Sequence, residues 1–217
     1  QGIPGIHGRL TNKAGVLYDE NSTQNNGELL VTAPFDRREP YALQAEYKGL
    51  TIYSGTLHKT LRKVKKEVTL ELYDLEVVIT DALGLPPGVE LIPVLITPDS
   101  NTTIQITPIE KGKGSFVFER IPAGDYHLQL SYGEFIDEMH VTIPNAGNVV
   151  HMQCSALFTL IIDLFDSKGN TLANDDIEFL ILRDNQTITK TKEKTLSLPP
   201  ARYRITTSLD DELIGVK

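Results

Sequence analysis

The sequence predicts an all-β protein, built as a tandem array of small β-sandwiches. Short apolar segments such as residues 76–80, 115–118 and 179–182 are rich in β-branched and aromatic side chains and end at turn residues. Turn signals recur about every 8 to 12 residues, which is typical of sandwich folds. Helical periodicity is not sustained anywhere; the best helical segment, residues 59–71, contains β-branched residues and favours a strand–turn–strand arrangement.

Two phrases repeat along the chain and predict three structural units. Residues 41–47 (YALQAEY) echo residues 126–132 (YHLQLSY), and residues 198–205 (LPPARYRI) are a weaker copy of residues 121–128 (IPAGDYHL). Recurrence of one phrase indicates an array of similar units. We place the units at residues 1–74, 75–154 and 155–217. Because no flexible linker separates them, a fairly stiff rod is expected.

The start of each unit is also expected to repeat. An apolar strand leads into Asp81-Ala-Leu-Gly84 in the second unit and into Asp166-Ser-Lys-Gly169 in the third. In the first unit, residues 6–10 lead into Thr11-Asn-Lys-Ala-Gly15. Each pattern predicts a strand that ends in a glycine-containing turn.

The third unit is expected to be incomplete. Alignment of Tyr126 with Tyr203 places a turn at Asp210-Asp211 and a new strand from Glu212 onward, whereas the earlier units continue well past this point. The chain is therefore expected to be part of a longer protein. The alternative is a final unit that is genuinely shorter than the others.

Residues 114–133 predict a corner between two sheets. Phe116 and Phe118 lie on one face of a strand because side chains alternate with a period of two. Pro122 ends the hydrogen-bonded ladder, and Gly124 is expected to adopt a backbone conformation that other residues disfavour. Tyr126 then begins the next strand facing the same core.

The second unit resembles the carboxypeptidase regulatory-like domain. The resemblance rests on Gly84-Leu-Pro86, Gly88-Val89, Gly114-Ser-Phe116-Val-Phe118 and Ile121-Pro-Ala-Gly124-Asp-Tyr126-His-Leu128. It is looser in the third unit and poor in the first. It implies transthyretin-like, or immunoglobulin-like, Greek-key β-sandwiches of the kind found in tandem on cell-surface proteins. The Tyr-Arg-Gly-Ser ending of transthyretin-like hydrolases is missing, so their activity is not implied.

Composition argues against several functions. The net charge of −8 disfavours nucleic-acid binding, and no apolar run reaches the roughly 20 residues that span a bilayer. The basic run at residues 58–66 lacks the interleaved aromatic residues that stack on bases and is interpreted as a solvated hairpin tip, or alternatively as a contact for an anionic glycan or lipid. No catalytic constellation or phosphate loop is present, and Cys154 is interpreted as a core residue. We therefore expect no enzymatic activity and no cofactor.

His127 and His140 are the weak candidates for metal ligands. If Gly133-Glu134 is a two-residue hairpin turn, His127 faces His140 and Gln129 faces Glu138 on the outer surface of the sheet. A zinc site needs three or four ligands, so a further side chain would have to contribute. The alternative is a pair of solvated histidines. Acidic turns at residues 163–169, 174–176 and 210–212 are interpreted as turn formers rather than calcium ligands.

Three Asn-x-Ser/Thr sequons begin at Asn21, Asn101 and Asn185, where chance would give about one. They favour an exported protein, placed outside the cell or on its surface. The leading hypothesis is a non-enzymatic structural spacer, stalk or adhesive module of a larger protein. One alternative is a glycan- or peptide-binding module, in which Tyr53 and the sheet face that carries His127 and His140 would contact the ligand. The other alternative is a set of accessory domains of an enzyme such as a peptidase. Self-association through exposed strand edges is a further hypothesis within the leading one.

Overall fold

The computed structural model describes residues 2–33, 40–57, 64–97, 105–147, 149–171, 176–209 and 212–216. These residues form eighteen strands and no helix, which confirms the predicted all-β class. Short strands with alternating burial, such as β-strand Glu178–Arg183, account for the class, because each presents every second side chain to a core.

The strands are numbered in chain order. The first unit contains β1 (His7–Asn12), β2 (Leu17–Ser22), β3 (Tyr41–Tyr47) and β4 (Leu50–Leu57). The second contains β5 (Leu72–Thr80), β6 (Val94–Ile96), β7 (Gln105–Ile106), β8 (Ile109–Gly112), β9 (Ser115–Pro122), β10 (Gly124–Tyr132), β11 (Phe135–Ile143) and β12 (Val149–Gln153). The third contains β13 (Phe158–Ile161), β14 (Glu178–Arg183), β15 (Gln186–Thr191), β16 (Thr195–Leu198), β17 (Arg204–Leu209) and β18 (Glu212–Val216).

Each unit contains a four-stranded sheet of the same order, which we call the tyrosine sheet. The orders are β2-β1-β3-β4, β7-β6-β10-β11 and β15-β14-β17-β18. The residue after the repeated tyrosine faces the equivalent position of its neighbouring strand in all three sheets: Ala42 faces Thr11, His127 faces Ile96, and Arg204 faces Leu182. The repeated sequence segments therefore form the equivalent strand of the tyrosine sheet in each of the three units.

The second sheet differs between units. In the second unit it is β12-β5-β9-β8, with β12 parallel to β5, and it faces the tyrosine sheet. In the third unit it is the pair β13-β16. Over the described part of the first unit only the tyrosine sheet is present, so a sandwich for residues 1–74 stays a prediction. The expected boundary between residues 74 and 75 lies inside β5.

Two separate hydrophobic cores hold the second and third units. The larger one lies between the two sheets of the second unit and buries Leu75, Val77, Phe118, Leu128 and Leu130 almost completely. The smaller one lies in the third unit around Phe179 and Ile181, with Ile162, Ile177 and Leu198. Burial of aliphatic and aromatic side chains is the main force that stabilises each unit.

The predicted corner is held by a tyrosine hydroxyl. Tyr126 is 2% exposed and donates a hydrogen bond of 2.8 Å to the carbonyl of Pro122; Tyr203 donates one of 2.7 Å to the carbonyl of Pro199. Phe116, Phe118 and Pro122 are buried beside it. Gly124 has a φ of +158°, which residues other than glycine rarely adopt, as the sequence predicts. The left-handed residue is Arg120, at φ +56°.

Removing this hydroxyl is expected to destabilise the second unit. Tyr126→Phe leaves the buried Pro122 carbonyl without its donor, which costs about 1–3 kcal/mol.

Burial also raises the pKa of Tyr126 to about 12, whereas an unfolded tyrosine ionises near 10. The unfolded chain then loses a proton that the folded chain keeps, so stability falls as the pH rises from about 10 to about 12. Denaturation curves between pH 8 and 12 test this, and the Tyr126→Phe variant should lose that part of the pH dependence.

The predicted turns form with one shared geometry. The side-chain Oδ1 of Asn12, Asp81 and Asp166 each accepts the N–H groups two and four residues further on, at 2.8–3.1 Å. This Asx arrangement leaves glycine at positive φ as the fourth residue of each turn. The Asn12 turn, however, joins β1 to β2 within the tyrosine sheet, whereas Asp81 follows a strand of the second sheet. The expectation that residues 6–10 open the first unit as residues 77–80 open the second is therefore wrong.

Candidate functional site at the junction of the second and third units

A buried ion pair joins the second unit to the third. Arg183, the last residue of β14, donates hydrogen bonds to the Oδ2 atom of Asp81 and to the carbonyl of Pro86. Arg183 is 4% exposed and Asp81 is 2% exposed. Two separate nitrogen atoms of one planar guanidinium group thus bind two points on the loop that follows β5.

Asp81 accepts hydrogen bonds from both the second and the third unit. Its Oδ1 atom accepts the N–H groups of Leu83 and Leu85 at 2.9 and 3.1 Å, which fixes the turn of its own unit. Its Oδ2 atom binds Arg183, and its main-chain carbonyl accepts the Gln153 side-chain amide at 3.0 Å. A buried charge pair is tolerated when its hydrogen-bonding groups have partners, and removal of one partner leaves an uncompensated charge.

Close packing surrounds the ion pair. A Cβ atom placed on Gly88 would lie 2.2 Å from the Cβ of Ala201 and 2.9 Å from the carbonyl oxygen of Pro200, so the two units approach here as closely as glycine allows. At the surface, Lys113 Nζ lies 3.2 Å from Asp184 Oδ2. This exposed ion pair contributes little stability.

Aromatic residues fill a second part of the junction. Phe158 packs edge to face on Tyr132 and Phe135, with ring centroids 5.9 and 5.5 Å apart. A shallow groove of about 350 Å³ lies beside this cluster and is lined by Val89, Tyr132, Phe158, Pro199, Pro200 and Tyr203, among others.

Asp137 is an acidic residue in a phase of β11 whose other members are apolar. The hairpin register places it opposite the buried Leu130, on the inward-facing side of β11. Its carboxylate accepts the N–H of Ser155 at 2.8 Å, where the chain leaves the second unit. The inward carboxylate therefore anchors the connection between units and does not disturb the register.

The junction between the first and second units uses a related contact without the arginine. The β3–β4 hairpin tip places Leu50 against the core of the second unit, and Lys48 donates to the carbonyl of Glu119. By strand register, the position of Arg183 corresponds to Thr97 in the second unit and Asn12 in the first. Thr97 is 4% exposed, and its hydroxyl has no partner within the described residues.

The histidine pair lies where the predicted register places it. His127 faces His140, Gln129 faces Glu138, and Tyr132 faces Phe135, which confirms the register. The two imidazole centroids are 5.7 Å apart, and His140 Nε2 lies 3.7 Å from Asp125 Oδ1. Gln129 Nε2 donates to Glu138 Oε1 at 2.6 Å. In the described ranges no three His, Cys, Asp or Glu side chains are grouped to hold a metal ion.

The other candidate residues are dispersed. Asn21 and Asn185 are exposed, Asn185 in a hairpin turn with φ +63°, while Asn101 lies outside the described residues. Residues 58–63 of the basic run and the acidic pair 210–211 also lie outside them. The Asp166 carboxylate is engaged by its own turn and by Asn170 Nδ2 at 2.9 Å. Burial raises the pKa of the Cys154 thiol, as for an unreactive core cysteine.

Comparisons with known proteins identify no family. No protein-family model matches the chain, and no curated protein matches its sequence. Among solved structures, the Bacillus anthracis TIE protein aligns with a TM-score of 0.33 and 14% identity, over 96% of this chain and 46% of that one. The chain thus spans less than half of that protein, and a likeness this low carries no argument about fold or function. No helix able to cross a bilayer occurs among the described residues.

Proposed function

We propose that this chain is a non-enzymatic spacer or stalk segment of a larger cell-surface or exported protein. The buried contact of Arg183 with Asp81 and Pro86 carries the proposal, because it fixes one unit on the next. The resemblance of the second unit to carboxypeptidase regulatory-like domains supports the same role, since such transthyretin-like units occur in tandem as spacers and interaction modules.

Three separated contacts at the junction support a rigid arrangement of the second and third units. The arginine contact, the Phe158 cluster and the Asp137–Ser155 hydrogen bond tie three different segments of the third unit, or of the chain that leads into it, to the second unit. A single contact would permit rotation about itself, whereas three separated contacts do not. A spacer needs this property, because its purpose is to hold flanking parts at a fixed distance.

Distance measurements between spin labels test the proposed rigidity. Labels on His151→Cys and Thr195→Cys, both at exposed positions, report on the second and third units in a Cys154→Ala background. We expect one narrow distance distribution, and a broad one when Arg183→Met is added. Arg204→Met, at an exposed position on the neighbouring strand β17, is the matched control and should leave the distribution narrow. A broad distribution with Arg183 intact would contradict the rigid spacer.

A further inference from the structure

Two histidines face each other on the outer surface of the tyrosine sheet in the second unit. His127 of β10 pairs with His140 of β11, and both side chains are exposed. Pairs along a hairpin alternate between hydrogen-bonded and non-hydrogen-bonded types. The two-residue turn makes the Tyr132–Phe135 pair hydrogen-bonded, so the histidine pair, five steps away, is of the non-hydrogen-bonded type. In that type the two strands bring their side chains closest, with Cα atoms about 4.5 Å apart.

The spacing of the two rings suits a shared metal ion. A metal about 2.0 Å from one nitrogen of each imidazole places the ring centroids about 4.5 to 6.4 Å apart, depending on the angle between the two bonds. The centroids of His127 and His140 are 5.7 Å apart, and the ring planes stand at 78° to each other. Rotation of the two side chains is therefore enough to direct one nitrogen of each ring to a common point, without movement of the backbone.

Carboxylates flank the pair on the same face. Asp125 Oδ1 lies 3.7 Å from His140 Nε2 and accepts a hydrogen bond of 2.7 Å from Thr142 Oγ1. Glu138 lies two residues before His140 on the outward side of β11. The neighbouring strand β6 places Ile96 opposite His127. Among the described residues that flank the pair on these three strands none is Lys or Arg, so the local charge is negative and favours a cation.

The fold does not require histidine at these positions. In the first unit the equivalent pair, on β3 and β4, is Ala42 and Thr56. Both of these residues are exposed, as are the two histidines. Exposed side chains of this kind contribute little to stability. The histidine pair is therefore a feature of the second unit and not of the repeated architecture.

We propose that His127 and His140 chelate a copper(II) ion on this face. Imidazole nitrogen binds the late first-row divalent metals, and affinity along that series is greatest for copper(II). Because the pair is exposed, water fills the remaining positions of the ion, and two protein ligands suffice. Two imidazoles on one hairpin bind more tightly than one, because the second bond forms within the same molecule. This site goes beyond the spacer role and does not depend on it.

Copper(II) alone is the probe, added to the full chain. Calorimetric titration gives the affinity and the number of ions bound, and electron paramagnetic resonance counts the coordinated nitrogen atoms. We expect the tightest site to hold one copper(II) per chain with two imidazole nitrogens, and nickel(II) and zinc(II) to bind more weakly. His127→Ala and His140→Ala should each weaken this binding by about tenfold or more and reduce the nitrogen count to one.

His7→Ala is the matched control. His7 is another strand histidine, 3.6 Å from a carboxylate oxygen of Glu20, but it faces Ser22 instead of a second histidine. Its removal should leave the affinity unchanged, and circular dichroism checks that all three variants fold. Unchanged affinity in both pair variants, an equal loss in His7→Ala, or equally tight binding of magnesium or calcium would overturn the proposal. Sedimentation that shows two chains per copper ion would also overturn it, because the ion would then join two copies.

Discussion

Arg183→Met is expected to lower the free energy of unfolding by about 3–5 kcal/mol, because it leaves the carboxylate of Asp81 buried without its counter-charge. Asp81 is 2% exposed and cannot recover hydration unless the junction opens. Methionine fills a similar volume, so the loss reports the charge and hydrogen bonds rather than a cavity. Denaturant titration followed by far-ultraviolet circular dichroism and by tyrosine fluorescence measures the change.

A double-mutant cycle isolates the pair. Asp81→Asn keeps an oxygen for the N–H groups of Leu83 and Leu85 but removes the charge, so Arg183→Met should cost much less in that background than alone. The exposed Arg204→Met should change stability by no more than about 0.5 kcal/mol. Additive effects of Asp81→Asn and Arg183→Met would show that the two side chains do not interact as described.

The second large effect is expected at the two phenylalanines at the centres of the cores. Phe118 and Phe179 are both 0% exposed, and truncation of such a side chain to alanine costs about 3–5 kcal/mol. Phe179→Ala is expected to open the third unit while the second stays folded, because the larger core does not include Phe179. Phe118→Ala is expected to destabilise both units, because the third unit docks on the loop that follows β5.

Hydrogen exchange resolved by residue distinguishes these outcomes. Phe179→Ala should accelerate exchange in β14 and β17 while the amides of β9 and β10 keep their protection. Phe118→Ala should accelerate exchange in all four strands. If Phe179→Ala also accelerates exchange in β9 and β10, the two units unfold together as one cooperative unit despite their separate cores.

Features that depend on neighbours along the chain were predictable. The register of β10 with β11 follows from one two-residue turn, since the period of two places every later pair. The three Asx turns follow from Asn or Asp placed three residues before glycine. The corner tyrosines Tyr126 and Tyr203 could be aligned because both follow a proline by four residues, and both bind that proline's carbonyl.

Features that depend on distant residues were not predictable. Asp81 and Arg183 are 102 residues apart, and Asp81 looks like any other turn aspartate in the sequence. One signal was present: Phe179, Ile181 and Arg183 occupy the same phase of a strand whose other members of that phase are apolar. An arginine in that phase requires a buried partner, but the sequence does not say which carboxylate supplies it. The topology of the first unit was predicted wrongly. Its turn has the same local hydrogen bonds as the turns that open the other two units, but it joins two strands of a different sheet.

The division of the ion pair between two units limits how such an array can be rearranged by gene duplication. A copy of the second unit placed directly after itself would present Thr97 to Asp81, because Thr97 occupies the position of Arg183 in that unit. The duplicated junction would bury a carboxylate without a cation and would be selected against until an arginine arose there. We therefore expect shuffling of one unit without its neighbour to carry a cost in stability.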